Sequence, residues 1–159
     1  MSVNCIPENC NNLNAYLYFK SSKAAIAWYA KVFDAKVADL LQWPNSDKIM
    51  HAALKIGNST LMMSDEMAEH GSVSAETLGK SPAMLMMYVD NVDKVFERAC
   101  NNGAIAQMPV TDMFWGDRYG QLQDPFGYRW AITTHKEDLS PEEMKKRQDQ
   151  FFVEMMGQK

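Results

Sequence analysis

The chain has 159 residues, of which 47% are hydrophobic and 23% charged, and its formal net charge is -4. This length fits one domain or two small modules that share a core. The cations are scattered and the net charge is negative, so a nucleic-acid surface is not expected. The first fourteen residues lack a basic and an apolar signal region, and no later run approaches about 20 apolar residues. We therefore expect a cytoplasmic protein without membrane contact.

The first half of the chain has the pattern of a βαβββ module. Strands are predicted at residues 14–20, 36–42, 48–56 and 59–64, where apolar and polar residues alternate. A helix opens at Ser22, and its apolar residues keep helical spacing. Gly57-Asn58 forms the turn between the last two strands.

The same order returns after a Gly- and Ser-containing linker at residues 67–82. Here a strand at 84–89, a helix at 91–102 and a strand at 104–110 precede a hairpin, whose strands 118–123 and 128–135 flank the turn Asp124-Pro125-Phe126-Gly127. The internal offset of about 70 residues indicates two copies of one unit. The predicted boundaries are an N-terminal segment 1–12, a first module 13–66, the linker, a second module 83–136 and a C-terminal helix 137–159.

The start of the C-terminal helix has a capping signature, Ser140-Pro141-Glu142-Glu143. It combines an N-cap hydroxyl, proline at the first helical position and a glutamate three residues after the cap. The apolar residues of the helix fall near one face: Met144, Phe151, Phe152, Met155 and Met156. A helix this short needs packing to persist, so we expect it to dock on its own sheet or on a second subunit.

Several motifs together resemble one known family. These are the duplicated βαβββ pattern, AWY in the first helix, VDNVD at 89–93 and DPFG at 124–127. The chain resembles the vicinal oxygen chelate superfamily, which contains glyoxalases, bleomycin-resistance proteins and dioxygenases. The runs FWGDRYG, DPFGYRW and THKEDLSPEEM look like its PhnB-like branch. Over residues 13–136, the resemblance implies an α+β fold in which two βαβββ modules form curved mixed sheets around a ligand cup. It also implies a homodimer.

The resemblance further implies where a divalent metal would be bound. Enzymes of the superfamily take one ligand, usually His or Glu, from the first and last strand of each module. By spacing, these four positions fall on Asn14, Met62, Met84 and Ala131. Such metals prefer carboxylate or imidazole ligands, which these side chains do not supply. We therefore expect no metal cofactor, and the catalytic residues, if there are any, are not predicted.

Strand parity and loop position select the residues expected to line the cup. Alternate strand residues share a face, and the more apolar alternate set should face the helices. The ligand-binding candidates are Asn14, Tyr16, Tyr18, His51, Met62, Met84, Tyr88, Trp115, Asp117, Arg118, Tyr119, Arg129 and His135. Aromatic rings there could stack on a planar ligand, and one arginine could hold a carboxylate or phosphate-like group.

Three functions remain open at this point. The first is a PhnB-like protein that binds a small, partly apolar or aromatic molecule without metal. The second is a metal-dependent glyoxalase-like lyase or isomerase, or a dioxygenase, that uses His51, His135 and an acid such as Glu66 or Asp117. The third is a resistance protein that sequesters an antibiotic. Histidines at strand ends also commonly make structural hydrogen bonds only.

Overall fold

The computed structural model describes residues 3–157, so the two outermost residues of each predicted terminal segment lie outside it. The described chain divides into two compact units. The first runs through Pro82 and also contains Phe126–Tyr128, and the second comprises Ala83–Pro125 and the residues from Arg129 onwards. The elements of the first unit are β1 (Ala15–Phe19), α1 (Ser22–Phe33), β2 (Lys36–Gln42), β3 (Ile49–Ile56), β4 (Ser59–Asp65) and α2 (Ala75–Leu78).

The first unit contains an open four-stranded mixed sheet with the strand order β1-β4-β3-β2. β1 is parallel to β4, whereas the other neighbours are antiparallel. Helix α1 begins because the Ser21 hydroxyl accepts a hydrogen bond from the Ala24 amide, and it ends at Asp34, which has a left-handed conformation. The helix packs against β1, β3 and β4.

Aromatic rings form the core of the first unit around Phe19, which is 0% exposed. Its ring centroid lies 6.0 Å from that of Tyr29, 5.5 Å from that of Phe126 and 5.2 Å from that of Tyr128. The Tyr128 hydroxyl also donates to the Tyr18 carbonyl oxygen and accepts from the Tyr18 amide. The turn at 126–128 is therefore part of this core, although its residues belong to the second repeat in sequence.

Residues 67–82, predicted as a linker, contain short helical structure. A 3-10 turn covers Ala68–His70, and α2 follows it. The Glu66 carboxylate accepts hydrogen bonds from the Ser74 amide and the Thr77 hydroxyl, both at 2.9 Å. The hydrogen bonds, chiefly those with Ser74, lower the pKa of Glu66 below its usual range. Such local side-chain contacts carry no periodic hydrophobic signal, so the sequence pattern does not predict these turns.

The second unit repeats this architecture with the strand order β5-β8-β7-β6. Its elements are β5 (Met84–Tyr88), α3 (Val92–Cys100), β6 (Ile105–Asp112), β7 (Asp117–Gln123), β8 (Arg129–His135) and α4 (Pro141–Gly157). The predicted α+β class, with two βαβββ modules, mixed sheets and a C-terminal helix, is confirmed. Both sheets are open, and no helix among residues 3–157 is long and apolar enough to cross a membrane.

Helix α4 begins at Pro141 as predicted, because the Ser140 hydroxyl accepts from the Glu143 amide. An aromatic contact and an ion pair attach it to the rest of its unit. The Phe151 ring centroid lies 5.2 Å from that of Phe114, and the Arg147 guanidinium donates to the Glu137 carboxylate at 2.8 Å. The helix thus docks within its own unit, but none of its residues is buried.

Candidate functional site

A hydrogen-bonded pair lies at the end of the β7–β8 hairpin. Asp117 is directly opposite His135 in the antiparallel register, so both side chains project from the same face of the sheet. The His135 Nδ1 atom lies 2.7 Å from the Asp117 Oδ1 atom. The Asp117 side chain is 5% exposed and the His135 side chain 50% exposed. The pair therefore joins a buried anion to a half-exposed imidazole.

Two further donors fix the Asp117 carboxylate. The Trp115 indole Nε1 group donates to its Oδ2 atom at 3.2 Å, and the Tyr88 hydroxyl donates to the same atom at 3.3 Å. A buried carboxylate requires such donors because it has lost its hydration. Desolvation of the phenol hydroxyl and the nearby Asp117 charge raise the pKa of Tyr88 above its usual value. These side chains therefore connect β5, β7, β8 and the loop before β7.

His135 has a carboxylate on each side of its ring. Its Nε2 atom lies 3.1 Å from the Asp138 Oδ1 atom. Ionised carboxylates only accept hydrogen bonds, so an imidazole that contacts one through each nitrogen is stabilised in its doubly protonated, positively charged form. The hydrogen bonds that the ring donates to Asp117 and, to a lesser extent, to Asp138 accordingly raise the pKa of His135 above its usual value. We name the five residues Tyr88, Trp115, Asp117, His135 and Asp138 the His135 cluster.

The loop that presents Trp115 depends on Gly116. This glycine has a φ of 94°, in the left-handed region that favours glycine. Its carbonyl oxygen accepts from the amides of Lys136 and Glu137, at 2.9 and 3.1 Å. A Cβ atom at this position would lie 2.5 Å from the Glu137 carbonyl oxygen. The loop and the segment after β8 can therefore approach only because the residue has no side chain.

Apolar side chains continue the sheet face beside the cluster. Met84, Met86 and Tyr88 alternate along β5 and are 42%, 52% and 61% exposed. The parallel register places them opposite Arg129, Ala131 and Thr133 of β8. An edge strand thus presents two thioethers and a phenol ring to solvent on the face that carries His135.

Two other predicted residues of this face, Tyr119 and Arg129, are hydrogen-bonded to Gln121. The Tyr119 hydroxyl accepts from the Gln121 amide group at 2.9 Å, and the Arg129 guanidinium donates to the Gln121 oxygen at 3.1 Å. Tyr119 is buried, whereas Arg129 is exposed. Gln121 was not among the predicted residues, although alternation along β7 places it on the same face.

Arg118 lies on the opposite face of the second-unit sheet. Its guanidinium donates to both carboxylate oxygens of Asp93, at 2.7 and 2.8 Å, and to Asp112 at 3.1 Å. The bidentate hydrogen bonds with Arg118 lower the pKa of Asp93 below its usual range. Arg118 therefore joins α3, β6 and β7, and its charge is already matched by two carboxylates.

The first unit has a smaller group of the predicted residues. The Tyr16 hydroxyl lies 3.3 Å from the His51 Nδ1 atom, and the Tyr16 ring centroid is 5.5 Å from that of Tyr18. Tyr16 is directly opposite Met62 on the neighbouring strand. Within the described part of the first unit, this face has exposed aromatic surface but no buried carboxylate comparable with Asp117.

The positions that the resemblance assigns to metal ligands do not fit a divalent metal. Ala131 has no donor atom, and Met62 and Met84 offer only thioethers. The Asn14 amide is already bonded to the Asn11 backbone, at 3.0 and 2.6 Å. Among residues 3–157, no group of three or more His, Cys, Asp and Glu side chains is arranged to hold a metal. The His135 nitrogens are both directed at carboxylates.

Comparison with known proteins identifies the family. The sequence model of the Glyoxalase/Bleomycin resistance protein/Dioxygenase superfamily matches residues 13–132, so the chain belongs to this superfamily, as predicted. An uncharacterized protein of Mycobacterium bovis is 34% identical over 148 residues, which cover 91% of this chain and 93% of that one.

Two solved structures show the same fold at low sequence identity. Protein PA1353 from Pseudomonas aeruginosa has a TM-score of 0.67 and 24% identity, covering 80% of this chain and 99% of that chain. A PhnB protein from Bacillus cereus has a TM-score of 0.62 and 17% identity, covering 78% and 99% of the two chains.

Proposed function

We propose that this superfamily member binds a small, partly apolar or aromatic molecule without the metal that superfamily enzymes use. One observation carries the proposal: Met84, Met86 and Tyr88 are exposed in a row on the sheet face that also carries His135. Exposed apolar groups gathered on one face are typical of ligand surfaces, since folding gains nothing from leaving them in water.

The chemistry of this face suits a ligand with a flat, apolar body. Thioethers adapt to different shapes, and a phenol ring offers a stacking surface. Covering the exposed half of each such side chain would contribute on the order of 1 kcal/mol. Polar groups at the two ends of β8, Arg129 and His135, would then fix the orientation of the ligand. On this proposal the metal is not needed for binding, in keeping with the donor-poor residues at the ligand positions.

We also propose a homodimer that works in the cytoplasm. The support for a dimer is the end of α4, where Phe152, Val153, Met155 and Met156 are exposed apolar residues. In a two-fold symmetric dimer the same surface is used on both subunits, so a second copy of the chain would cover these apolar residues in each molecule.

The ligand proposal is tested by screening aromatic and apolar fragments with thermal shift and calorimetry, each with chelator and with added Zn²⁺, Ni²⁺, Mn²⁺ or Fe²⁺. We expect fragments to bind in chelator and to bind more weakly to Met86→Lys. Leu78→Lys is the matched control, because Leu78 is exposed to a similar degree, 60% against 52%, but lies on α2 of the first unit.

Two outcomes would contradict the proposal. Binding that requires metal, together with near-stoichiometric metal in protein purified without chelator, would support the metal-dependent enzyme instead. Fragment binding that is equal in Met86→Lys and in the unchanged chain would show that the β5 face is not the ligand surface. A resistance assay in a sensitive host expressing the chain separates antibiotic sequestration from these two functions.

A further inference from the structure

We propose that the second-unit sheet face takes a small carboxylic acid, whose carboxylate replaces that of Asp138 on the Nε2 atom of His135. This inference rests on the proposed function and names the chemical class of its ligand. The apolar or aromatic body of the acid would lie on Tyr88 and Met86, which share the face with His135.

Asp138 shows which group the imidazole accepts at this position. Its carboxylate lies 3.1 Å from Nε2, yet its side chain is 103% exposed. Exposed ion pairs contribute little stability because water competes for both partners. An incoming carboxylate that also buries apolar surface can therefore displace Asp138 at small cost.

The other side of the ring is held much more firmly. The Nδ1 group donates to Asp117, whose carboxylate is buried and is fixed by Trp115 and Tyr88. This arrangement sets the direction of the Nε2–H bond before a ligand arrives. A preorganised, charge-assisted donor gives more affinity than a flexible one because less ordering is required on binding.

The spacing of the face defines the size of the acid. Tyr88 is opposite Thr133, which lies two residues before His135 on β8. Two residues of a strand span about 6–7 Å, so an aromatic ring on Tyr88 would reach His135 through a spacer of two or three carbons. An arylpropionate has this form.

The test uses 3-phenylpropionate and its uncharged amide, 3-phenylpropionamide, titrated into the isotope-labelled full chain and followed by NMR. We expect both to shift resonances of β5 and β8, and only the acid to shift the His135 ring and the Trp115 indole N–H strongly. A hydrogen bond between charged partners is stronger than one to a neutral amide, so the acid should bind about 10-fold or more tightly than the amide.

Two variants connect this preference to named groups. His135→Gln should reduce the preference for the acid to near unity, with His70→Gln, at an exposed histidine of the 3-10 turn in the first unit, as the control that leaves it unchanged. Asp138→Ala removes the internal competitor and should tighten binding of the acid several-fold without changing that of the amide. Because Asp138 is fully exposed, this variant retains the fold; Asp47→Ala, also an exposed carboxylate at 94%, is its control.

The outcomes separate this inference from the function on which it rests. Equal binding of acid and amide, with shifts on β5 and β8, would overturn the carboxylate inference and leave small-molecule binding in place. An acid preference that persists in His135→Gln, or that Asp138→Ala leaves unchanged, would also overturn it. If neither compound shifts any resonance of this face, both the carboxylate inference and the assignment of the ligand to this face are wrong.

Discussion

Asp117 and His135 lie directly opposite each other on β7 and β8, and a 2.7 Å hydrogen bond joins their side chains. Because one partner is buried and the other is half exposed, the pair can hold a positive charge at the surface of the sheet. Its neighbours in the His135 cluster restrain the buried partner. The charge on the imidazole should therefore depend mainly on Asp117.

Asp117→Asn should lower the pKa of His135. The asparagine retains an oxygen that can accept from Nδ1, but it removes the negative charge and the stronger charge-assisted hydrogen bond. An NMR titration of the His135 ring would measure the change. Asp138→Asn is the matched control and should lower the pKa less, since Asp117 has the larger effect on it. An equal effect of the two variants would contradict the dominant role of the buried carboxylate.

The stability that His135 contributes should depend on pH. Its pKa in the folded chain is raised above 6.5, so protonation favours the folded state. While Asp117 is ionised, the contribution is fully present below pH 6.5 and is lost as the pH rises through the raised folded value. Thermal unfolding of the unchanged chain and of His135→Gln should therefore converge at alkaline pH. If the difference in stability between the two proteins were the same at every pH in this range, the protonated form of His135 would not be what stabilises the fold.

Gly116→Ala should destabilise the chain more than Gly57→Ala. Both glycines have positive φ angles, 94° and 58°, but a Cβ at position 57 meets nothing within 4 Å. The control should therefore cost about 1–2 kcal/mol from backbone strain alone. At position 116 the collision with the Glu137 carbonyl oxygen adds to that strain. Urea denaturation gives the free energy of unfolding of each variant. Equal losses in the two variants would mean that the loop at position 116 can move to accommodate the added Cβ without a cost in stability.

Arg118→Met should loosen α3 without affecting the acid preference proposed for the sheet face. The pKa of Asp93 is lowered in the folded chain, so its ion pair with Arg118 stabilises the fold at every pH above 3.8, the ordinary pKa of the group. This stabilisation is lost as the pH falls through the pKa of Asp93 in the folded chain. The destabilisation by Arg118→Met should therefore shrink in acid. Thermal unfolding between acidic and neutral pH measures this loss of stability. Arg118→Lys should recover only part of the lost stability, because lysine lacks the bidentate geometry.

Val153→Glu should weaken the proposed homodimer. Val153 is 72% exposed within the apolar end of α4, so a charge there would have to be desolvated on association. Light scattering after size exclusion should give twice 18.1 kDa for the unchanged chain and a smaller mass for the variant. Gln148→Glu changes a polar residue of the same helix and should leave the mass unchanged. A monomeric unchanged chain would remove the dimer proposal.

Most of the secondary structure follows from local sequence patterns. Strand alternation, the Ser140 cap and the DPFG turn each depend on residues close in sequence, and the corresponding elements are present. The His135 cluster depends on register instead. His135, Asp117, Trp115 and Tyr88 were each predicted to face a ligand, but their hydrogen bonds to one another require knowing which residues are opposite across two strand pairs. Counting outward from the predicted four-residue turn pairs Gln123 with Tyr128, and therefore Asp117 with Thr134. The observed register is shifted by one residue, with Gln123 opposite Arg129 and Asp117 opposite His135.

The contacts of Asp138 and Arg118 carry no signal in the local sequence. Asp138 follows the last strand in a segment without periodicity, so nothing in the sequence connects it with the His135 ring. Arg118 was predicted to be a ligand-binding candidate, and its position in β7 gave no sign of the two carboxylates that bind it. Those carboxylates, Asp93 and Asp112, lie on α3 and at the end of β6, and only tertiary packing brings them to the guanidinium.

The three residues Phe126–Tyr128 have a consequence for how the gene can be divided. A fragment that ends at Pro82 contains every strand of the first sheet and Tyr29, but it lacks Phe126 and Tyr128, two of the rings that pack on Phe19. The repeat visible in the sequence is therefore not a repeat of self-sufficient parts. Expression of the first half alone should give a poorly folded product, which a synthetic peptide carrying DPFGY would have to complete in trans.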